Sequence, residues 1–405
     1  MNPLLISGFG TSINVEKRKL VIQNKLKNEI HEFYPHRIEH DSIIVDGHTG
    51  HITFESMRWL TKHNVSLSLL NWDGNLLSVT LPDSPISGKL RIKQYQKYLD
   101  AKTRHKIATE FVKSKIGSSL NLLKELSKFH DFDFEKAKQG FDSETRFFLG
   151  KPVHSIQDIL GYEGRIARFY FDALQKIFEK IAPQFHFTSR SNYDHKRADH
   201  ASDEINALFN YGYAILVSET RKAINSVGLD AEIGFLHEIL SSRTPLVYDL
   251  QELFRWIIDY SIIQLLEDHK LKKSDFVVTE NYHIRLRENT AKLLIEKIRF
   301  NFNHKMPYRK KNFTYQNILY DQIQQIANFI SDKRKDIEFV VPHWVINRDD
   351  NSMLRNRILS LTPDQRRKLG INKSTLWYMK RNLNDGKTVK IYGKILSKLD
   401  EIDRS

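Results

Sequence analysis

The apolar residues of this 405-residue chain change their period between Pro82 and Gly88, and few architectures accommodate such a change. Ahead of that point, residues 4–7, 19–22 and 42–45 are short β-rich runs bounded by turn residues. Gly8-Phe9-Gly10 and Asp46-Gly47 are turn signals. Asp73-Gly74-Asn75 joins residues 65–70 to residues 76–80 as a hairpin. One helix, near Glu55 to His63, interrupts the strands. Pro82, Pro85 and Gly88 then mark a boundary. Beyond it apolar residues recur three and four apart, as in Ile107/Phe111, Leu120/Leu123/Leu126 and Ile166/Phe169/Tyr170/Leu174. Strands followed by helices predict an α+β chain. Its expected parts are an N-terminal β-rich domain over 1–88, an α-helical domain over 89–301, a basic connecting segment over 302–350 and a small C-terminal all-α domain over 351–405.

Charge is distributed unevenly over those parts. The formal net charge is +14, of which 13 Lys and Arg against 5 Asp and Glu place +8 in residues 351–405. Such an excess points to a polyanion, most simply double-stranded DNA. The same region carries a helix start, with Thr362 as N-cap, Pro363 at the first helical position and Asp364 in the first turn. That helix should end at Leu369-Gly370. A second, with Asn372 as N-cap, runs through residues 373–381 and closes at Asn384-Asp385-Gly386. Two short helices about a glycine turn form a helix-turn-helix pattern. Its reading helix would present Lys373, Ser374, Thr375 and Tyr378 to base edges. Arg366, Arg367, Lys380 and Arg381 would contact phosphates. The run HKMPYRKK at residues 304–311 offers Arg309, Lys310 and Lys311 for the same purpose; a solvated surface segment would look alike.

The chain has no cysteine, which excludes disulfide scaffolds, thiolate zinc sites, iron–sulfur clusters and thiol nucleophiles. It has no apolar run of 18 residues and no signal-peptide pattern, so a soluble, cytoplasmic protein without membrane contact is expected. There is no Walker A loop and no dinucleotide fingerprint. Any metal must bind His, carboxylates or carbonyls. Glu163 shares a helical face with Ile166, Ala167, Tyr170 and Leu174. A carboxylate on an apolar stripe is costly unless it is paired or bound to a metal. Arg165 or Arg168 could pair with it locally, although both point to other faces. His237 follows a helix that should end near Gly228, and Ser at 241 rules out a metalloprotease motif. Asp249 and Glu252 are three apart on one helical face, with Trp256 and Asp259 continuing the ridge. Carboxylates with one imidazole suit a hard divalent cation, Mg²⁺ or Mn²⁺. Spacing alone does not bring Glu163, His237 and Glu252 together.

Taken jointly, these blocks resemble the CRISPR-associated integrases that insert new spacers. The strongest runs from Asn206 to Ala214 (NALFNYGYA) and continues through Ala223-Ile224, Gly228-Leu229-Asp230, Gly234-Phe235-Leu236-His237 and Leu246-Val247-Tyr248-Asp249-Leu250 to Glu252 and Phe254-Arg255. Gly161-Tyr162-Glu163-Gly164 with Ala167 and Tyr170, the β-type segments at residues 5–10 and 43–47, Trp59-Leu60, the Asp73-Gly74 hairpin and Arg91 with Gln94-Tyr95 share the resemblance, which spans roughly residues 4–300. It implies a β domain that dimerises, a helical catalytic domain, a homodimer and a metal site of Glu163, His237 and Glu252, with Asp249 as a further candidate. That family commonly has Asp at the last positions; Glu252 is favoured here because Asp249 could instead hold a neighbouring arginine. Tyr211, inside the shared motif, would lie near the reacting phosphate or simply pack its helix. The added basic module resembles casposases, the transposon-encoded relatives. The implied activity is joining the 3′-OH ends of terminal inverted repeats to target DNA by transesterification, on DNA as a dimer or as a tetramer of paired dimers. The alternatives are a spacer integrase working with a small second Cas protein, a metal-dependent DNA endonuclease, and a non-catalytic DNA-binding regulator.

Overall fold

Branched apolar residues at the start of the chain form two four-stranded sheets. The computed structural model describes residues 1–47, 49–71, 74–81, 88–150, 155–188, 201, 203–237, 244–279, 283–340, 345–346, 358, 366–367 and 369–384. In chain order the strands are β1 (Pro3–Ser7), β2 (Thr11–Glu16), β3 (Lys19–Asn24), β4 (Glu29–Phe33), β5 (Ser42–Asp46) and β6 (Gly50–Ile52), then helix α1 (Phe54–Lys62), β7 (Ser66–Leu70) and β8 (Leu76–Thr80). One sheet has the order β1-β5-β7-β8, parallel except for the β7–β8 hairpin. The other has the order β4-β3-β2-β6. Ile6, Ile22, Ile43 and Leu67 from the sheets pack with Trp59 and Leu60 from α1. Thr53 starts α1 by accepting from the Ser56 amide. Strand β4 (EIHEF) carries two glutamates and a histidine, and it stands beside β3 at the sheet edge.

The helical part follows as α2 (Gly88–Leu99), α3 (Ala101–Leu126), α4 (Phe134–Leu149), α5 (Ile156–Ile181), α6 (Glu204–Val227), α7 (Pro245–Gln251) and α8 (Arg255–Asp268). Asp100 caps α3, and Ser155 with Asp158 forms a capping box on α5. Nearly every residue of α6 from Glu204 to Thr220 is buried, so this helix is the axis about which the others pack. Gly212 lets α8 approach closely, since a Cβ there would meet Ile258 at 2.5 Å. A two-strand hairpin, β9 (Phe276–Val278) and β10 (Ile284–Leu286), leads to α9 (Glu288–Asn303). The β domain docks through Ser68 to Ser218 (2.7 Å), Asp46 to Arg285 (2.6 Å) and an ion pair of Lys27 with Glu288.

The span read from sequence as a connection holds a second hairpin, β11 (Lys305–Tyr308) and β12 (Lys311–Thr314), and helix α10 (Tyr315–Ile330). Phe339 beyond α10 stacks on Phe111 of α3, with ring centroids 4.9 Å apart. Among the described residues no helix is long and apolar enough to cross a membrane.

The chain divides into two compact units, residues 1–267 with 271–344, and residues 268–270 with 345–405. In the second, Gly370 is left-handed (φ +70°). Its amide donates to the Arg367 carbonyl at 3.0 Å, and the Ile371 amide donates to that of Arg366 at 3.2 Å, the paired bonds that end a helix. Helix α11 (Lys373–Asn384) begins where the Leu376 amide donates to the Asn372 carbonyl at 2.9 Å. Ile358, Leu369, Ile371, Leu376 and Met379 are buried. The expected helix start at Thr362-Pro363-Asp364 and the stop at Asp385-Gly386 lie outside the described residues.

Candidate active site

Three helices and one turn bring charged residues together in the helical body. On α3, Lys115 follows Ile107 and Phe111 at four-residue steps; both are fully buried, so the lysine lies on an inward stripe. Its Nζ donates to Oε1 of Glu163 on α5. The turn between α7 and α8 supplies Glu252, whose Oε2 lies 2.6 Å from the same Nζ. Glu252 Oε1 accepts from Arg255 at 2.7 Å. These four residues, with Tyr213 and Asp259 among others, line a pocket of about 450 Å³. Behind them the Tyr170 and Tyr213 hydroxyls each donate to Asp259 at 2.5 Å, and the Arg255 guanidinium lies 4.2 Å above the Tyr213 ring.

The electrostatics follow from this packing. Burial pushes the Glu252 carboxyl up, but the charges of Arg255 and Lys115 outweigh it and hold it down at about 2. Burial would lower Lys115, yet Glu163 and Glu252 reverse that and raise it. His237 is also raised: burial opposes its charge, while its hydrogen bond with Asp249 and the charges of Asp249 and Glu252 favour it.

Asp249 performs a different task from Glu252. Its Oδ2 accepts from the Phe235 amide (2.5 Å) and the Leu236 amide (3.0 Å). Its Oδ1 accepts from the His237 amide (3.0 Å) and lies 2.7 Å from His237 Nδ1. Gly234 permits this approach, because a Cβ there would lie 2.9 Å from Oδ2. The neighbour held by Asp249 is therefore a histidine and not an arginine. The expected ridge of Asp249, Glu252, Trp256 and Asp259 is not continuous: α7 ends at Gln251 and α8 begins at Arg255. This break turns Asp249 towards the 235–237 amides while Glu252 faces Lys115.

Arg165 pairs with Glu144 at 2.5 Å, so Glu163 finds its partner on α3 and not locally. His237 is outside the lining of the 450 Å³ pocket, although the charges of Glu252 and Lys115 act on it. Among the described residues no three His, Asp or Glu side chains stand close enough to hold a metal ion. Tyr211 belongs to a different pocket, of about 220 Å³, at the junction with the β domain beside Asp46 and Arg285. Arg309 and Lys310 form the tip of the β11–β12 hairpin, both left-handed (φ +46° and +68°), and Lys311 is exposed beside them. Arg309 also reaches Asp321 at 3.2 Å. On α11, Lys373, Ser374, Thr375, Tyr378 and Arg381 are exposed and Lys380 is half-buried; Arg381 lies over the Trp377 ring at 5.3 Å. Arg366 donates to the Ile371 carbonyl at 2.9 Å, and Arg367 is exposed. Sequence reasoning missed Lys115. Its signal was a lone cation on the stripe begun by Ile107 and Phe111.

Two four-stranded sheets ahead of a helical body make up the Cas1 type of fold. A Cas1 protein of Thermotoga maritima shares it with a TM-score of 0.67 at 15% identity, over 84% of this chain and all (100%) of that one. The sequence profile of CRISPR associated protein Cas1 matches residues 4–299, and the chain belongs to that family. It is 28% identical over 349 residues to CRISPR-associated endonuclease Cas1 1 of Archaeoglobus fulgidus, covering 83% of this chain and 99% of that protein. The Francisella tularensis subsp. novicida protein of the same name is 27% identical over 334 residues, 81% of this chain and 95% of that one. A casposase solved bound to integration product is similar at 34% identity and a TM-score of 0.77, over 89% of this chain and 99% of that one.

Proposed function

We propose that this chain is a casposase-type DNA integrase. It would join the 3′-OH end of a mobile element to target DNA by metal-dependent transesterification. The observation that carries the reading is the likeness to the casposase bound to integration product, which extends over 89% of the chain, whereas the Cas1 profile matches residues 4–299. The basic C-terminal unit with the Gly370 turn and the exposed polar residues of α11 supports element-end recognition in a major groove. The working assembly would be a homodimer built through the β domain, acting on DNA as that dimer or as a tetramer of two.

Two carboxylates and one imidazole are donors chemically suited to a hard divalent cation, and they would have to draw together to share one, because they do not stand within a common coordination distance among the described residues. Glu163 and Glu252 already converge on one positive centre, the Lys115 ammonium. With Nδ1 engaged by Asp249, His237 is left with Nε2 as its ligating atom. Glu163, Glu252 and His237 would therefore hold Mg²⁺ or Mn²⁺, with Asp249 orienting the histidine. When bound, such an ion makes the attacking hydroxyl more acidic and offsets charge on the phosphoryl oxygens. The protein's own groups do the rest. The 3′-oxygen attacks phosphorus in line, a new P–O bond forms, the target's P–O3′ bond breaks and the leaving oxygen takes a proton, so one phosphodiester replaces another. Arg255, fixed by Glu252 and Tyr213, supplies a standing positive charge for that phosphate.

A spacer-acquisition role is the second reading, because the curated relatives are named CRISPR-associated endonucleases. The discriminating experiment gives the purified chain alone a repeat-ended oligonucleotide and a plasmid. Sequenced junctions at the element's 3′ ends, lost in Glu163→Ala, His237→Ala and Glu252→Ala, are expected. Joining only after a small second Cas protein is added would favour the second reading. Full function in all three variants would favour a DNA-binding regulator.

A further inference from the structure

Lys115 has a place in this site that the ligand set alone does not explain. It comes from α3, on the buried stripe of Ile107 and Phe111, and its side chain is 18% exposed. Glu252 has two oxygens with two different cationic partners. Oε1 is taken by Arg255 at 2.7 Å, and Oε2, buried, meets the Lys115 Nζ at 2.6 Å. Glu163 Oε1 meets the same Nζ. One ammonium is thus the point on which both carboxylates converge. Two carboxylates in one pocket repel each other unless a cation stands between them.

We infer that Lys115 is a positioning residue that holds Glu163 and Glu252 together in the protein without its metal, and that a divalent cation binds by displacing its ammonium. This rests on the reading of Glu163 and Glu252 as ligands. The lysine and a divalent ion cannot share that point, because both need the same two carboxylate oxygens and like charges at such short range repel. The stem of a lysine is flexible and this side chain is already partly exposed, so the ammonium can swing towards solvent when an ion takes its place. The charge count gives the displacement a use. Lys115 and Arg255 stand against Glu163, Glu252 and Asp259 before the ion binds, which leaves the pocket one charge negative. A divalent ion turns that into a positive surplus of one, suited to a phosphodiester.

The test is Mn²⁺ binding to the full chain, read by electron paramagnetic resonance of the free ion, without DNA or turnover. Lys115→Met and Lys115→Gln are both measured, the second because its amide can still donate to the carboxylates if the first fails to fold. Both should bind Mn²⁺ roughly tenfold or more tightly than the wild type. Both should also melt lower in chelator and recover more on adding Mn²⁺. A merely structural lysine would lower the melting temperature without tightening Mn²⁺. Wild-type or weaker affinity in the neutral variants, with Glu163→Gln abolishing binding, would overturn the inference alone. Unchanged Mn²⁺ affinity in Glu163→Gln would instead show that the ligand reading had failed, and this inference with it.

Discussion

The pocket around Glu163 and the surface of α11 handle charge in opposite ways. In and beside the pocket these ionic groups are matched within the protein: Lys115 to two glutamates and Arg255 to Glu252 in its lining, and Asp249 to His237 and three amides next to it. On α11, Lys373 and Arg381 face solvent, beside Trp377 and Tyr378 at 60% and 62% exposure. Buried pairs fix positions to within a hydrogen bond and are little screened by salt, whereas exposed charges are left for a partner and weaken as salt rises. The first arrangement suits chemistry and the second suits recognition.

The comparison breaks most visibly inside the pocket. Glu163→Gln should reduce joining on the order of 10³-fold, the scale on which one transition-state charge interaction acts, with DNA affinity unchanged. Asp249→Asn keeps the size but weakens the hold on His237. It should cost about 10–100-fold, the range for residues that orient a ligand, and single-turnover rates on the same duplex would rank the two. Equal losses would erase the distinction drawn between Asp249 and Glu252.

A smaller effect is expected at the β11–β12 tip. Arg309 and Lys310 occupy left-handed backbone where Asn-Gly is usual, at a cost of about 1–2 kcal/mol per residue, so their side chains need another reason to be there. Replacing Arg309, Lys310 and Lys311 by Ala should lower the salt slope of DNA binding by about 0.9 for each phosphate no longer neutralised, at an unchanged joining rate on saturating DNA. An unchanged slope would make the tip an ordinary solvated turn.

The smallest effect lies where the β domain meets α9. Burial pushes the Glu288 carboxyl up, but hydrogen bonds from Lys27 and Lys292 hold it down at about 2, against an ordinary 4.5. A folded-state value below the unfolded one adds stability above pH about 4.5 that fades as the pH falls towards 2. Urea unfolding of wild type and Glu288→Gln should therefore differ most near pH 6, less at pH 3, and converge only as the pH approaches 2. A constant gap would assign the loss to packing instead of charge.

Much of this was legible in the chain itself, and the reasons for the rest are physical. Turn chemistry at Asp46-Gly47 and the apolar runs of β1, β3 and β5 are local signals, so those strands stood out. The edge strand β4 did not, because its polar residues face water and alternate with little hydrophobic contrast. Glu163 was conspicuous as a carboxylate on an apolar stripe. Its partner was not, since Lys115 lies 48 residues earlier on another helix and only tertiary packing joins them. The ridge through Asp249 and Glu252 misled because helical spacing cannot reveal a break at residues 252–254. Tyr211 looked like part of the site by motif, yet Tyr213, two positions on and a different way round α6, is the one that lines it.

The division between chemistry and recognition is tested most directly by measuring joining rate and end affinity together, on one element-end duplex, for two variants. Glu252→Gln should bind the duplex like the wild type and join it on the order of 10³-fold more slowly. The double variant Lys380→Ala, Arg381→Ala should bind more weakly, with a shallower salt dependence, and join at the wild-type rate once DNA is saturating. If both variants lost affinity and rate in the same proportion, the pocket and α11 would not divide these tasks, and the account would be contradicted.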